Sequence, residues 1–433
     1  MKFMPRTYSF CYVEFFSVLI IIFSMVFFEY DGHCTMPETP KSPKTLSLLF
    51  WGSSVDTGVR EVFQGACRTF ERANPSVSLN IVFYSVEQYK TKLPVLMAVN
   101  NPPDIFMTWS GAFLEPYVRA GKVLPLDEFL EKDYMWHRLF MQSAFDSLRY
   151  DGKIYAVPTV KAVAVLFYNK AIFKQLGLEE PSTYRELKNV IKHLRKAGIT
   201  PLAFGNNEPW VGGMLAGQIV QRLGGESLFI DVKNKTVPWT HPAFLKAGKI
   251  IQEMDNLGAF PEAPNTIGYQ DTIEMFYSGK AGMMLMGSWF IQYLTSQHSM
   301  AEDTIGVMAF PRFDDGTGST SVWMGQTDMN LAISATCTQK DLAVAFAKWV
   351  TSPPCQRDLM LTAGLIPVTN IPVNDKQIRP ELLSLIKLQM DMTSLFLFPD
   401  ISLGGLAGQA FNNSIRKILD GEDPQNVFQT LEE

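Results

Sequence analysis

Between residues 46 and 83 the hydrophobic period of the chain changes twice, and that change restricts the fold more than any other feature. Leu46–Trp51 is a short apolar run, the signature of a buried strand. Val59, Val62, Phe63, Ala66, Cys67 and Phe70 then recur at helical spacing, and Asn74-Pro75 ends the helix. Val77, Leu79, Ile81 and Phe83 alternate, as a strand with one buried face does. A strand, an amphipathic helix and a second strand form a crossover unit whose strands lie parallel. Further strands are predicted at Ile105–Thr108, Ile154–Val157, Val163–Tyr168, Met283–Met286, Ile305–Ala309 and Asn330–Ile333, with helical patterns between most of them. The expected class is α/β, built on mostly parallel sheets flanked by helices.

In open α/β sheets a ligand sits beyond the carboxyl ends of the strands. Leu46–Trp51 runs into Gly52-Ser53-Ser54-Val55-Asp56, Ile105–Thr108 into Trp109-Ser110, and Met283–Met286 into Gly287-Ser288-Trp289. A further ring, Trp210, follows Asn206-Asn207-Glu208-Pro209 at a predicted helix start. Aromatic faces beside hydroxyl, amide and carboxylate groups suit a polyhydroxylated ligand, whose C–H face packs on a ring while its hydroxyls need partners. Each feature also has a purely structural reading. A strand-end tryptophan can belong to the core or its rim. Asp104, after Pro102-Pro103, can cap a turn, and Asp56 can cap the helix that begins near Val59.

The chain has 433 residues, enough for two or three domains, with 47% hydrophobic and 19% charged residues, which describes a globular protein. A formal net charge of −5 with no basic run argues against nucleic acid as a partner. The N-terminus departs from this composition. Lys2 and Arg6 precede the apolar run Phe15–Phe28. A basic start and roughly 7–15 apolar residues make a secretory signal, whereas a membrane-spanning helix needs about 20. Residues 1–33 are therefore expected to be a signal segment, and residues 34–44, which include Pro37–Lys44 (PETPKSPK), a linker. Outside the signal the cysteines are Cys34, Cys67, Cys337 and Cys355, none in a CxxC pair. Cys67 lies on the apolar stripe of its helix and is expected to be buried. Cys34 is a candidate lipid-attachment residue, although Asp31-Gly32-His33 is a poor match to the residues usual before such a cysteine.

No GxSxG, HExxH, P-loop or GxGxxG signature is present, and Gly316-Thr317-Gly318-Ser319-Thr320-Ser321 reads as a loop. The five histidines are scattered, so neither a metal site nor a cofactor is expected. A glycosidase stays open as an alternative, because two carboxylates can converge from distant positions at about 5–9.5 Å separation.

Several stretches, in order, resemble the extracellular solute-binding proteins of bacterial ABC importers, specifically the sugar-binding, maltose-binding-protein-like family. Phe70-Glu71-Arg72-Ala73-Asn74-Pro75 stands where that family has a phenylalanine five residues before a proline, and Asn101-Pro102-Pro103-Asp104-Ile105 where it has Pro-Asp-Ile. Gly121-Lys122-Val123-Leu124-Pro125-Leu126-Asp127 resembles its Gly-x-Leu-x-Pro-Leu-Asp, and Gly152-Lys153-Ile154-Tyr155-Ala156-Val157-Pro158 its Gly-Lys-x-Tyr-Ala-x-Pro. Phe167-Tyr168-Asn169-Lys170 is similar to its Tyr-Asn-Lys, and Pro181-Ser182-Thr183-Tyr184-Arg185-Glu186-Leu187 follows a further family pattern with Tyr184 in place of tryptophan. Phe276–Met283 with Gly287-Ser288-Trp289, and Ala363-Gly364-Leu365-Ile366-Pro367-Val368, complete the resemblance, which spans residues 45–370.

The resemblance implies the type II periplasmic-binding-protein fold: two lobes, each a mostly parallel sheet flanked by helices, with the ligand in the cleft between them. Residues 45–157 and 312–353 are expected to form lobe one, and residues 158–311 and 354–433 lobe two. Trp289 is implied as the ring that stacks on a sugar, with Asp104, Trp109 and Ser110 near the ligand. Trp323, Gly325, Gln326 and Asp328 are implied in the floor of the first lobe. The implied function is capture of a small carbohydrate outside the cytoplasmic membrane by a monomer that closes about a hinge and delivers it to ABC permease subunits. Maltose itself is not implied, since only Trp109 matches the maltose pattern after Ile105–Thr108. A polyol phosphate is the alternative ligand, and it needs cations in the cleft, where only Lys161 lies near. A sensory co-receptor role is a further alternative.

Overall fold

The computed structural model describes residues 43–52, 57–141, 143–296 and 304–432. The signal segment, Cys34, Ser54 and Asp56 lie outside the described residues. So does the linker, except at its end, where Lys44 already belongs to a strand. Among the described residues no helix is long and apolar enough to cross a membrane.

Two sheets carry two hydrophobic cores. In chain order their strands are β1 (Lys44–Trp51), β2 (Val77–Tyr84), β3 (Ile105–Thr108), β4 (Val160–Asn169), β5 (Thr200–Leu202), β6 (Ala281–Gly287), β7 (Ile305–Met308), β8 (Val322–Asp328), β9 (Asn330–Ile333), β10 (Ile366–Pro367) and β11 (Ser394–Phe396). The first sheet has the order β9-β3-β1-β2. β1 runs parallel to both β2 and β3, and the helix Thr57–Ala73 makes the crossover that the change of hydrophobic period predicts. Cys67 is buried on that helix, among the first core.

The second sheet has the order β11-β8-β4-β6-β5, and β7 and β10 also pair with β4. Here the expectation of a mostly parallel sheet needs correction. β6, β7, β8 and β10 all run antiparallel to β4, while only β5 with β6 and β8 with β11 are parallel. β4, a ten-residue buried strand, is long enough to pair with all four of them along its length.

The chain passes from the second sheet to the first through a single residue. β8 ends at Asp328 against Val160, and β9 begins at Asn330 against Thr108. Met329 between them adopts φ +50°, a left-handed conformation that non-glycine residues seldom take. Buried side chains hold the crossing. Thr159 Oγ1 donates to the carbonyls of Asp328 (3.3 Å) and Met329 (2.8 Å), and Gln356 Nε2 donates to the Thr159 carbonyl (2.9 Å). Asn330 Nδ2 donates to the carbonyls of Thr108 (3.0 Å) and Thr327 (3.2 Å), one from each sheet.

The sheets thus divide the chain elsewhere than at residues 311 and 354. Val322–Asp328 lies in the second sheet, and the return to the first core falls at Met329. Leu359, Ala363 and Leu365, expected in lobe two, pack in the first core, and the chain rejoins the second sheet at Ile366–Pro367. Trp323, expected in the cleft floor, is buried in the second core, its Nε1 donating to the Thr320 carbonyl at 3.1 Å. The Gly316–Ser321 stretch is a loop that wraps a buried cation. Arg222 donates to the carbonyls of Phe310, Ser319 and Val322, and the close approach of Gly318 to the Gln221 carbonyl leaves no room for a side chain.

Asn330→Ala removes the two hydrogen bonds that span both sheets and leaves two buried carbonyls short of a donor. We expect it to lower unfolding free energy by roughly 1–3 kcal/mol in chemical denaturation. An unchanged midpoint would contradict the role assigned to this amide.

Candidate binding cleft

The carboxyl ends of β1 and β3 lie side by side because the strands are parallel, and the residues there face a cavity of about 290 Å³ between the sheets. That is the small end of the range for pockets that bury a small organic ligand. Trp109, just past β3, stacks on Trp51 at the end of β1, with ring centroids 4.0 Å apart and planes 10° apart. Tyr89 packs edge-on against Trp51 and donates its hydroxyl to the Met107 carbonyl. Trp51 is 4% exposed, so it serves as a fixed backing for Trp109, which lines the cavity beside Phe113.

On the opposite wall β5 and β6 are parallel, with Leu202 at the end of β5 opposite Met283, and β6 runs on to Gly287. Trp210 opens the helix Trp210–Gly224 and Trp289 follows β6, with their ring centroids 6.1 Å apart. Polar contacts through Tyr269 orient the Trp289 ring, and Trp210 packs on the Tyr269 ring with centroids 5.3 Å apart. Glu208 Oε2 accepts the Tyr269 backbone N–H at 2.8 Å, and Trp289 Nε1 donates to the Tyr269 hydroxyl at 3.1 Å. The helix start is held by Asn206, whose Oδ1 accepts the Gly212 N–H and whose Nδ2 donates to Asn265, both at 2.8 Å. Gly287 explains the Gly-Ser-Trp step: a Cβ there would lie 2.1 Å from the Trp289 ring, which folds back over it. Ser288 Oγ accepts the Val163 N–H at 3.2 Å and ties the step to β4.

Polar groups line the floor. Gln326 and Asp328 come from β8, and the fully buried Ser110 donates its hydroxyl to Gln326 Oε1 at 3.2 Å. Burial lifts the Asp328 carboxyl to about 6, opposed by the Met329 N–H that Oδ1 accepts at 2.7 Å. Burial also raises Asp400, with Lys90 pulling the other way. Lys90 itself lies 2.9 Å from Glu87 and 5.9 Å from the centre of the Trp109 ring. The lobes meet beside this cation, where the turn Gly111–Phe113 packs under Asp400-Ile401. Gly111 has φ +54°, and a Cβ on it would lie 2.3 Å from the Ile401 carbonyl oxygen.

Of the residues singled out in the sequence, Trp109, Trp210, Trp289, Gln326 and Asp328 line one cavity, and Ser110 supports Gln326 from beneath. Asp104 does not belong with them. It stands at the opposite end of β3, where Oδ2 accepts both the backbone N–H and the hydroxyl of Ser47 at 2.8 Å, fastening β3 to β1. Trp323 points away because it sits on the face of β8 opposite Gln326 and Asp328. Sequence reading missed Trp51, Lys90, Tyr269, Phe398 and Asp400. Only Trp51 carried a signal, as the last residue of a strand whose carboxyl end was already of interest. Among the described residues no group of three or more His, Cys, Asp or Glu side chains is placed to hold a metal.

Two outcomes are expected. Trp289→Ala should weaken binding of the cleft ligand by roughly 2–4 kcal/mol, the range of an aromatic hot spot. Gly287→Ala, which forces the same ring aside, should act in the same direction. Calorimetric titration of both variants checks this, and full affinity in either one would remove the ring from the site. The second outcome concerns pH. A carboxyl raised in the folded state favours the protonated native protein, so its ionisation lowers stability as pH rises from the ordinary value of 3.8 to about 6. Asp328→Asn should therefore gain on the unsubstituted protein across that window, by roughly 2–3 kcal/mol at pH 7. A melting-temperature difference that stays flat from pH 4 to pH 7 would contradict the burial of this charge.

Comparison with known proteins agrees with the fold. The family model described as bacterial extracellular solute-binding protein matches residues 52–356. The chain is 26% identical over 326 residues to a maltotriose-binding protein of Pyrococcus abyssi, covering 74% of this chain and 66% of that protein. It is 27% identical over 294 residues to a multiple sugar-binding protein of Streptococcus mutans, covering 66% of each. Its matches thus span about two thirds of the length of these curated relatives. A solved structure from work on xylan utilization by the thermophilic bacterium Caldanaerobius polysaccharolyticus superposes with a TM-score of 0.83 at 28% identity, covering 90% of this chain and 99% of that one. The match to the family model extends over most of the chain, from the residue after β1 through Trp109, Trp210, Trp289, Gln326 and Asp328 of the cleft, so the chain belongs to the bacterial extracellular solute-binding protein family.

Proposed function

We propose that this protein captures a small carbohydrate outside the cytoplasmic membrane, by closure of the two lobes, and hands it to an ABC import permease. The observation that carries this reading is the cleft itself. Trp109 is braced on one wall, and Trp210 and Trp289 on the other, around a floor of Gln326 and Asp328. A sugar presents flat C–H faces to such rings and hydroxyls to such a floor. Ligand contacts on both lobes are complete only in the closed state, so binding energy drives closure. The relatives named for maltotriose and for multiple sugars support the same class of ligand.

Charge argues against the polyol-phosphate alternative. Lys90 supplies the cation that such a ligand needs, but Glu87 already pairs with it, and Glu208, Asp328 and Asp400 line the same cavity. A phosphate there meets net repulsion. The carboxylates are assigned to hydroxyl recognition and not to turnover. Export follows from the basic and apolar N-terminus, with Cys34 as the anchoring residue if the mature protein is lipidated. The chain is proposed to act as a monomer.

A library of mono- and oligosaccharides screened by melting temperature should identify the ligand, because a ligand at about 100 times its dissociation constant stabilises the fold by about 2.7 kcal/mol. The tightest binder should be recovered unchanged after long incubation. Sustained hydrolysis that Asp328→Asn or Glu208→Gln abolishes would replace this reading with a glycosidase. Stabilisation by glycerol phosphates alone would replace the carbohydrate.

A further inference from the structure

Lys161 sits on β4 directly opposite Thr327 of β8 and Ile366 of β10. Cross-strand partners share a face, and successive residues alternate. Gln326 and Asp328, which face the sugar cleft, therefore lie on one side of the crossing strands, and Lys161 with Thr327 on the other. On that far side is a second cavity of about 680 Å³. Its walls are apolar, formed among others by Met360, Ile371, Leu383 and Ile386. Met141 and Thr369 belong to the segments paired at Phe140–Thr369, while Leu383 lies on the helix Pro380–Leu388 that packs with the second core. The cavity therefore spans both lobes behind the crossing.

Three polar groups in this wall lack the partner their chemistry demands. Lys161 Nζ has only the weak acceptor Met392 Sδ, at 4.0 Å, and among the described residues it makes no ion pair. Thr369 Oγ1 and Gln389 Nε2 are buried without a hydrogen-bond partner. Burial, with no compensating anion, pulls the Lys161 ammonium down to about 8. The single carboxylate in the lining, Asp375, is exposed at the rim. Thr369 Oγ1 and Gln389 Nε2 are closed off from the open space, so the group that a ligand can meet is Lys161, and a cation without a counter-ion at an apolar cavity calls for an anion with an apolar body. The volume falls within the range of small-molecule pockets.

We propose that this cavity is a second binding site, for a small organic monocarboxylate whose carboxylate is held by Lys161 and whose apolar body lies against Ile371, Leu383 and Ile386. A sugar does not suit it, because the walls offer few groups for its hydroxyls. A phosphate does not suit it either, since one cation cannot meet its charge.

The intact protein should be titrated with 4-phenylbutyrate and with its neutral amide, by calorimetry and by ligand-observed NMR. Saturable one-to-one binding of the acid, with the amide weaker by at least about tenfold, is expected from the loss of a charge-assisted hydrogen bond. Lys161→Met should lose the acid to the same degree, and Lys161→Arg should restore it. The sugar identified by the screen should still bind with the acid present, since the two cavities are separate. No saturable binding of the acid would overturn the proposal. So would equal affinity for acid and amide, or undiminished binding by Lys161→Met. The comparison of acid with amide uses unsubstituted protein, so the test holds even if Lys161→Met does not fold, and it is independent of whether the cleft takes a sugar.

Discussion

The backbone passes between the sheets at Pro158-Thr159, at Met329 and at Leu365-Ile366, and the floor of the cleft depends on the single-residue junction at Met329. Because β8 ends and β9 begins one residue apart, the floor of the cavity and the joint between the lobes are the same piece of chain. Asp328 lines the cavity and caps the Met329 N–H, and Asn330 bonds to a carbonyl from each sheet. A left-handed φ at a methionine costs roughly 1–2 kcal/mol, so the surrounding bonds must hold it in place. Thr159 and Gln356, both fully buried, do so from beneath. A ligand that touches Asp328 or Gln326 therefore presses on the joint itself. The proposed closure therefore needs no longer pathway between recognition and lobe movement.

The rings on either wall are fixed in different ways, each suited to its surroundings. Trp109 relies on a neighbour of its own kind: Trp51 backs it face to face, and Tyr89 backs Trp51 edge to face. Such pairs add about 0.5–1.5 kcal/mol beyond the area they bury. Trp289 relies on polarity instead, through Tyr269 and Glu208, and on the missing side chain of Gly287. Both arrangements spend side-chain entropy during folding, which leaves less to lose on binding.

Much of this was legible in the sequence, for a physical reason. Where a strand is apolar and a turn follows at once, period and punctuation both mark its end. Ile105–Thr108 and Asn330–Ile333 were read with the bounds the structure gives them, and Trp109 and Trp289 stand where the strand-end rule puts them. Val322–Asp328 shows why the reading stopped. Its last residues are Gly-Gln-Thr-Asp, which resemble a loop, because one face of the strand floors a polar cavity. That strand also carried the expectation that Trp323 faces the ligand, which the two-residue alternation from Gln326 and Asp328 overturns. Asp104 resembled a site residue because a strand-edge carboxylate has the same local sequence whether it meets a ligand or Ser47. Lys90 and Asp400 could not be found by any local rule. They lie over three hundred positions apart in the sequence, and only the tertiary fold brings them together.

The measurement that tests the central claim most directly is the radius of gyration in solution, by small-angle X-ray scattering, with and without the carbohydrate proposed as the cleft's ligand. Closure of two lobes on one ligand predicts a smaller radius at saturation, and no change with the same sugar in Trp289→Ala at concentrations that leave the variant unoccupied. A sugar that binds tightly while the radius stays the same would contradict a cleft that closes by movement of its two walls.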